Sequence, residues 1–224
     1  MASLPRRMVA EALGTFGLIF IGCAAVVVNA FPGANYGLIG IALAHALVLS
    51  IMITCTMNIS GGHHNPAVTI GLLSTGRISG RDAGAYIVAQ LSGALLGALL
   101  VKLVLPAGVV ASGTLGTPAV ATAINGTQAV IIEAVLTFFL VSAVFGTAVS
   151  ANAPKVGGFG IGLVLLFDII VGGPLTGGVM NPARAFGPAI VSGNLVGQWV
   201  WWVGPILGGV VAAQLWERVL LKQE

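Results

Sequence analysis

The stretch SGGHHNPAVT, Ser60 to Thr69, returns later in the chain as TGGVMNPARA, Thr176 to Ala185. Each copy sets Asn-Pro-Ala behind a pair of glycines: Asn65, Pro66 and Ala67 in the first, Asn181, Pro182 and Ala183 in the second. Asparagine followed by proline is a helix start. The Asn side chain caps the first turn, and proline at the first helical position lacks an N–H that would have no partner anyway. The apolar runs that follow, Ala67 to Thr75 and Ala183 to Ser192, hold only about ten residues each. At about 1.5 Å per residue they reach roughly halfway through a hydrocarbon core about 30 Å thick. They predict two half-helices that enter a membrane without crossing it.

The composition places the rest of the chain in that membrane. Hydrophobic residues make up 57% and charged residues 7%, against about 25% charged in a soluble domain. Runs long enough to span, at roughly 20 apolar residues each, fall at Met8–Asn29, Gly37–Met57, Ala83–Leu105, Ala129–Val149, Gly157–Val171 and Val196–Trp216. The first is read as a retained helix and not a secretory signal, because it is too long for a signal core and carries Glu11 inside it. With both termini on the cytoplasmic side, Arg6, Arg7, Arg77, Arg81, Lys155, Arg218 and Lys222 all fall inside, while the connection Pro106–Gln128 is uncharged. Lys102 lies near the outer end of its span and is expected to snorkel to the interface. The termini carry no readable address, so a cell membrane, plasma or inner, is expected ahead of an internal one. Cys23 and Cys55 both lie in spans and build neither a disulfide framework nor a thiol metal site. The net charge of +3 resides mostly in the inner loops and gives no reason to invoke nucleic acid.

A repeat organises the chain. AEALGTFGLIF (Ala10–Phe20) is echoed by IEAVLTFFLV (Ile132–Val141), matching Glu11 with Glu133, and AQLSGALLGA is answered by VGPILGGVVAA, matching Gln90 with Pro205. The chain reads as one domain over 1–224, with a first repeat at 1–105 and a second at 125–224. Three spans per half is an odd number, so the second half is expected upside down relative to the first. The fold class is therefore all-α integral membrane, six transmembrane helices plus two re-entrant half-helices in an inverted repeat. Gly93 and Gly97, Gly158 and Gly162, and Gly204 and Gly208 are small-xxx-small pairs suited to close helix contact. Inversion brings the two half-helix starts together near the midplane, where irregular backbone survives only in protein or along a wet path. Each start carries about half a positive charge. Facing one narrow path, the two repel cations, hydronium included, while Asn65 and Asn181 orient passing water by its oxygen.

SGGHxNPAVT with GGVMNPARAFGP, the two AExxxTF-like helix starts and WVGP in the last span resemble the aquaporin (major intrinsic protein) family over essentially the whole chain. The resemblance implies a passive water channel that excludes protons and ions, one pore per subunit, a homotetramer in membrane lipid, no cofactor, no metal and no enzymatic activity. It also implies that Glu11, Glu133 and His63 support the re-entrant loops. By counting from the motifs, the family's selectivity filter falls on His45, Ile169, Gly178 and Arg184. That set is similar to plant tonoplast intrinsic proteins of the water-and-ammonia kind. Pro118 stands where such channels place a further loop histidine, which leaves ammonia conduction open.

Other readings compete. A glycerol facilitator would carry NPARD where Ala185 follows Arg184 here, and an ion-coupled secondary transporter would want a coupling acid, for which only Asp168 is available. Asp168 adjoins Ile169, and neighbouring helix residues face about 100° apart, so it is expected to point from the path toward a loop donor or a neighbouring subunit. His64 either touches the path or packs. His45, His63 and His64 with a glutamate would suggest a metal hydrolase, but no HExxH spacing exists. Trp199, Trp201 and Trp202 read as an interface belt or lipid-facing packing. Asn125-Gly126-Thr127 is a sequon in the outer loop.

Overall fold

In the computed structural model, which describes residues 2–221, every regular element is helical. In chain order these are α1 (Leu4–Val28), α2 (Gly37–Ser60), α3 (Pro66–Ser74), α4 (Gly80–Val104), α5 (Ala107–Ser112), α6 (Gly126–Val144), α7 (Phe159–Gly162), α8 (Val164–Thr176), α9 (Pro182–Ser192) and α10 (Val200–Leu215). Among the described residues, five stretches are long and apolar enough to cross a membrane: α1, α2, α4, Gly126–Val149 and Phe159–Thr176. The expected sixth is shorter, because α10 is 16 residues and then passes into a π turn, Trp216–Leu220. Its predicted start at Val196 is a turn instead, since Gly197 adopts φ 72°. α3 and α9, of 9 and 11 residues, are the short helices that follow the two Asn-Pro pairs.

One further expectation is corrected. The span expected to end at Val171 runs on to Thr176, because Pro174, whose fixed φ near −65° is helical, continues α8, and irregular backbone begins at Gly177. The uncharged connection between α4 and α6 holds α5 and a 3₁₀ turn, Thr114–Gly116, with Thr114 and Leu115 in the left-handed region. That turn lies on α1, where a Cβ on Gly116 would meet Cys23. Asn125 of the sequon is the N-cap of α6, in a capping box with Gln128.

The small residues of the repeat are where helices touch through bare backbone. A Cβ on Gly93 would strike the carbonyl oxygen of Ala12 in α1, and one on Gly208 that of Ala134 in α6. Gly97 lies on Phe16, Gly204 on Val130 and Glu133, and Gly158 and Gly162 on Ser50 of α2. The outward faces are apolar, with Val9, Ile39, Val88, Leu103 and Val211 all more than half exposed, as a hydrocarbon solvent requires. At the end of the bundle where α1 and α4 begin, Arg7 pairs with Asp82 at 2.9 Å and Arg77 with Glu217 at 2.6 Å. Lys222 lies outside the described residues. Lys102 donates to Val191 O at 3.1 Å, so its charge serves the C-terminal end of α9. Trp201 is no belt residue. It is fully buried and donates to Thr176 O, whereas Trp199 is exposed and Trp202 stands edge-on to Phe186.

Because α6 and α10 meet at Gly208 without intervening side chains, Gly208→Leu is expected to destabilise the fold by about 3 kcal/mol. Val88→Leu on the outward face is the neutral control, and thermal unfolding in detergent measures both.

Candidate functional site

Two reversals of the chain build the centre of the molecule, and they match residue by residue. α2 ends at Ser60, followed by Gly61 at φ 92°, Gly62 at 64° and His64 at 48°; α8 ends at Thr176, followed by Gly177 at 88°, Gly178 at 56° and Met180 at 54°. The left-handed turns point successive N–H groups outward toward a carboxylate. Glu11 Oε1 accepts from Ser60 Oγ (2.7 Å) and His63 N (3.0 Å), and Oε2 from His64 N (2.7 Å). Glu133 Oε1 accepts from Thr176 Oγ1 (2.6 Å) and Val179 N (3.0 Å), and Oε2 from Met180 N (2.7 Å). Glu11 has a fourth donor, Gln90 Nε2 at 2.8 Å, which also reaches Thr69 Oγ1. Pro205, the repeat partner of Gln90, has no side-chain donor to offer Glu133. Both acids are wholly buried.

The two short helices then meet start to start. Asn65 caps α3 by accepting from Ala67 N, and Asn181 caps α9 by accepting from Ala183 N and Arg184 N. Each amide also crosses to the other half: Asn65 Nδ2 donates to Met180 O and Asn181 Nδ2 to His64 O, both at 2.9 Å. An amide nitrogen carries two hydrogens, so each Asn keeps one donor for whatever passes.

Both asparagines line a central passage with His45, His63, Ile169, Gly178 and Arg184; its apolar wall includes Leu18, Leu49, Ile53 and Leu165. The cavity volume is ≈ 20 Å³, and one water needs about 10–15 Å³ of such space. A vestibule of ≈ 460 Å³ opens beyond it, bordered by Arg7, His63, Arg77 and Tyr86. His45 Nδ1 lies 2.9 Å from Ile41 O. Since a carbonyl only accepts, Nδ1 carries the proton, and in a neutral ring Nε2 is left as the acceptor. That ring rests in a notch at Gly22, where a Cβ would meet Nε2 at 2.5 Å. Arg184 donates from Nη1 to Gly116 O at 2.7 Å and is 6% exposed. None of the ion pairs of the described residues includes it, and it lines the passage.

Pro66, Ala67, Pro182 and Ala183 lie in the first turns of α3 and α9, away from the passage lining, and Glu11 and Glu133 stand behind it. His63 Nδ1 meets Thr69 Oγ1 at 3.1 Å, and its ring is edge-on to Tyr86. His64 packs: its ring lies on Gly14 and its Nε2 meets Thr56 Oγ1 at 2.8 Å. Asp168 does avoid the passage, but it finds no loop donor: its Oδ2 is buried without a partner among the described residues. Pro118 packs on Gly177. Sequence reasoning missed Ser60, Gln90 and Thr176 as partners of the two acids and Thr69 as a partner of Gln90 and His63; a hydroxyl or amide in an apolar span was the available signal.

The chain matches the family model "Major intrinsic protein" over residues 1–216. It is 39% identical to Aquaporin TIP4-4 of Zea mays, covering 99% of this chain and 89% of that protein. It is 38% identical to Nodulin-26 of Glycine max, covering 98% and 80%. Among solved structures it resembles the aquaglyceroporin from Plasmodium falciparum, with a TM-score of 0.87, 26% identity and 97% of each chain covered.

Glu133→Gln keeps the size of the side chain but turns one acceptor oxygen into a donor that faces backbone N–H groups. With charge-assisted bonds worth about 1.5–3 kcal/mol each, the variant is expected to lose most of its folded, monodisperse population in size-exclusion chromatography.

Proposed function

The chain belongs to the major intrinsic protein family, whose members are channels and not enzymes, and on that footing we propose that it is a passive pore for water that excludes protons and ions. The observation that carries the reading is the meeting of α3 and α9 start to start, with Asn65 and Asn181 bonded crosswise beside a cavity of ≈ 20 Å³, room for about one water. The partial positive charge of each helix start, about half a unit, falls on that point. A cation loses its hydration there and gains no carboxylate in return. A neutral water accepts from the free Asn donors, which aim its own hydrogens outward and interrupt any chain of like-oriented waters along which a proton would hop.

In this proposal His45, Ile169, Gly178 and Arg184 form the selectivity filter. Arg184 supplies positive charge and N–H donors, and His45 Nε2 an acceptor on another wall. Ile169 adds an apolar surface, and Gly178 leaves its side of the wall without a side chain. Asn65 and Asn181, set at the two helix starts by Pro66, Ala67, Pro182 and Ala183 behind them, form the second constriction; Glu11, Glu133 and His63 hold the loops that carry both. Ammonia is a second permeant of the same filter, being neutral, close to water in size and able to donate to His45 Nε2. The repeats at 1–105 and 125–224 are related by inversion, the subunits associate as a homotetramer in membrane lipid, and both termini face the cytoplasm, on the support of the Lys and Arg distribution. A glycerol pore is the second reading, favoured by the likeness to an aquaglyceroporin structure.

Stopped-flow light scattering of proteoliposomes separates these readings. The wild type is expected to pass water quickly, ammonia measurably and glycerol negligibly, with no requirement for a proton gradient; glycerol passing as readily as water overturns the water reading. His45→Phe is expected to narrow the filter and abolish ammonia flux. Gly22→Ala pushes the His45 ring into the passage, and a barrier raised by about 1.4 kcal/mol slows water about tenfold.

A further inference from the structure

Ser60 and Thr176 end the two long helices from which the irregular stretches depart, and each is held at both polar groups. Their hydroxyls donate to Glu11 and Glu133. Their carbonyls, among the last of each helix and without an intrahelical N–H, each accept from a buried aromatic side chain. Tyr86 Oη donates to Ser60 O at 2.8 Å, and Trp201 Nε1 donates to Thr176 O at 2.9 Å. Tyr86 sits on α4 and Trp201 on α10, each one helical turn before the repeat partners Gln90 and Pro205. Their exposures are 1% and 0%. Two chemically different rings thus bring one donor each to the equivalent carbonyl of each half.

We propose that Tyr86 and Trp201 are positioning residues for the central passage, fixing the point and direction in which each irregular stretch leaves its helix. Movement at that point has little slack to absorb it. Gly62 N bonds back to Ser60 Oγ at 3.1 Å and Gly178 N to Thr176 Oγ1 at 3.3 Å. The next N–H groups are tied to the two carboxylates, and the crossed asparagines follow directly. The two clamps act on different parts of the path. Tyr86 borders the vestibule and touches His63, so its bond governs the way in to Asn65. Trp201 holds the stretch that carries Gly178 and Arg184, so its bond governs discrimination between solutes. The permeation effects rest on the channel reading above; the clamp itself has a readout that does not.

The experiment compares wild type, Tyr86→Phe, Trp201→Phe and Trp201→Tyr in proteoliposomes, with amide hydrogen exchange of residues 61–64 and 177–180 on the same preparations. Tyr86→Phe keeps the ring and removes only the donor. It is expected to fold like the wild type, exchange faster at 61–64 and lose about threefold in water permeability, the scale of one neutral hydrogen bond. Trp201→Phe is expected to raise the ratio of glycerol to water flux, and Trp201→Tyr, which restores an O–H donor, to bring it back. Tyr86→Phe with wild-type permeability and wild-type exchange overturns the proposal, and decides it alone if Trp201→Phe does not fold. A wild type that passes no water would defeat the channel reading, while the exchange data would still judge the clamp.

Discussion

A chain that turns back halfway across a membrane leaves N–H groups where there is no water to take them, and each such group costs several kcal/mol if left unpaired. Here two carboxylates meet that constraint. Glu11 and Glu133 each take two consecutive backbone N–H groups and one hydroxyl. The dependence runs both ways, since a buried carboxylate without donors is itself costly in this setting. Neither the reversal nor the acid is tenable alone. The left-handed turns at His64 and Met180, unusual for residues with a side chain, are the local strain that this pairing sustains.

The same arrangement decides what the passage presents. The carboxylates draw N–H groups to the back of each reversal, so their negative charge stays out of the lining, and what faces inward is uncharged or positive. Asn65, Asn181, His45 and Arg184 supply a few polar points along a path whose lining also includes Leu18, Leu49, Ile53, Leu165 and Ile169. In the proposed reading, a small neutral solute finds partners at intervals, while a cation meets two helix starts and a guanidinium.

The fold was legible in the sequence where it depended on hydropathy, on helix starts and on glycine. Each Asn-Pro pair marks a helix start that the structure places at the same residues, and Gly93 and Gly208 lie at helix contacts of the kind their spacing suggested. Boundaries set by single backbone angles were not legible, as at Gly197 and along Gly172–Thr176. The turn over α1 escaped notice because an uncharged, apolar connection has no periodicity to read. Glu11 and Glu133 stood out through the repeat, but their partners came from segments dozens of residues away, and such bonds leave no local pattern. Three tryptophans near a helix end look like an interface belt. Yet Trp199 and Trp201 differ by about 200° around a helix, so one reaches the outside and the other the core. The direction of His64 turned on a positive φ that no neighbouring residue announces.

The crossed asparagines also bear on how the protein is made. Asn65 donates to a carbonyl 115 residues further along the chain, and His64 accepts from an amide 117 residues ahead. When the ribosome has delivered the first half, that half lacks both bonds at its innermost point. Those two polar groups gain the partners they have in the folded protein only once residues 180 and 181 have been synthesised and packed against them.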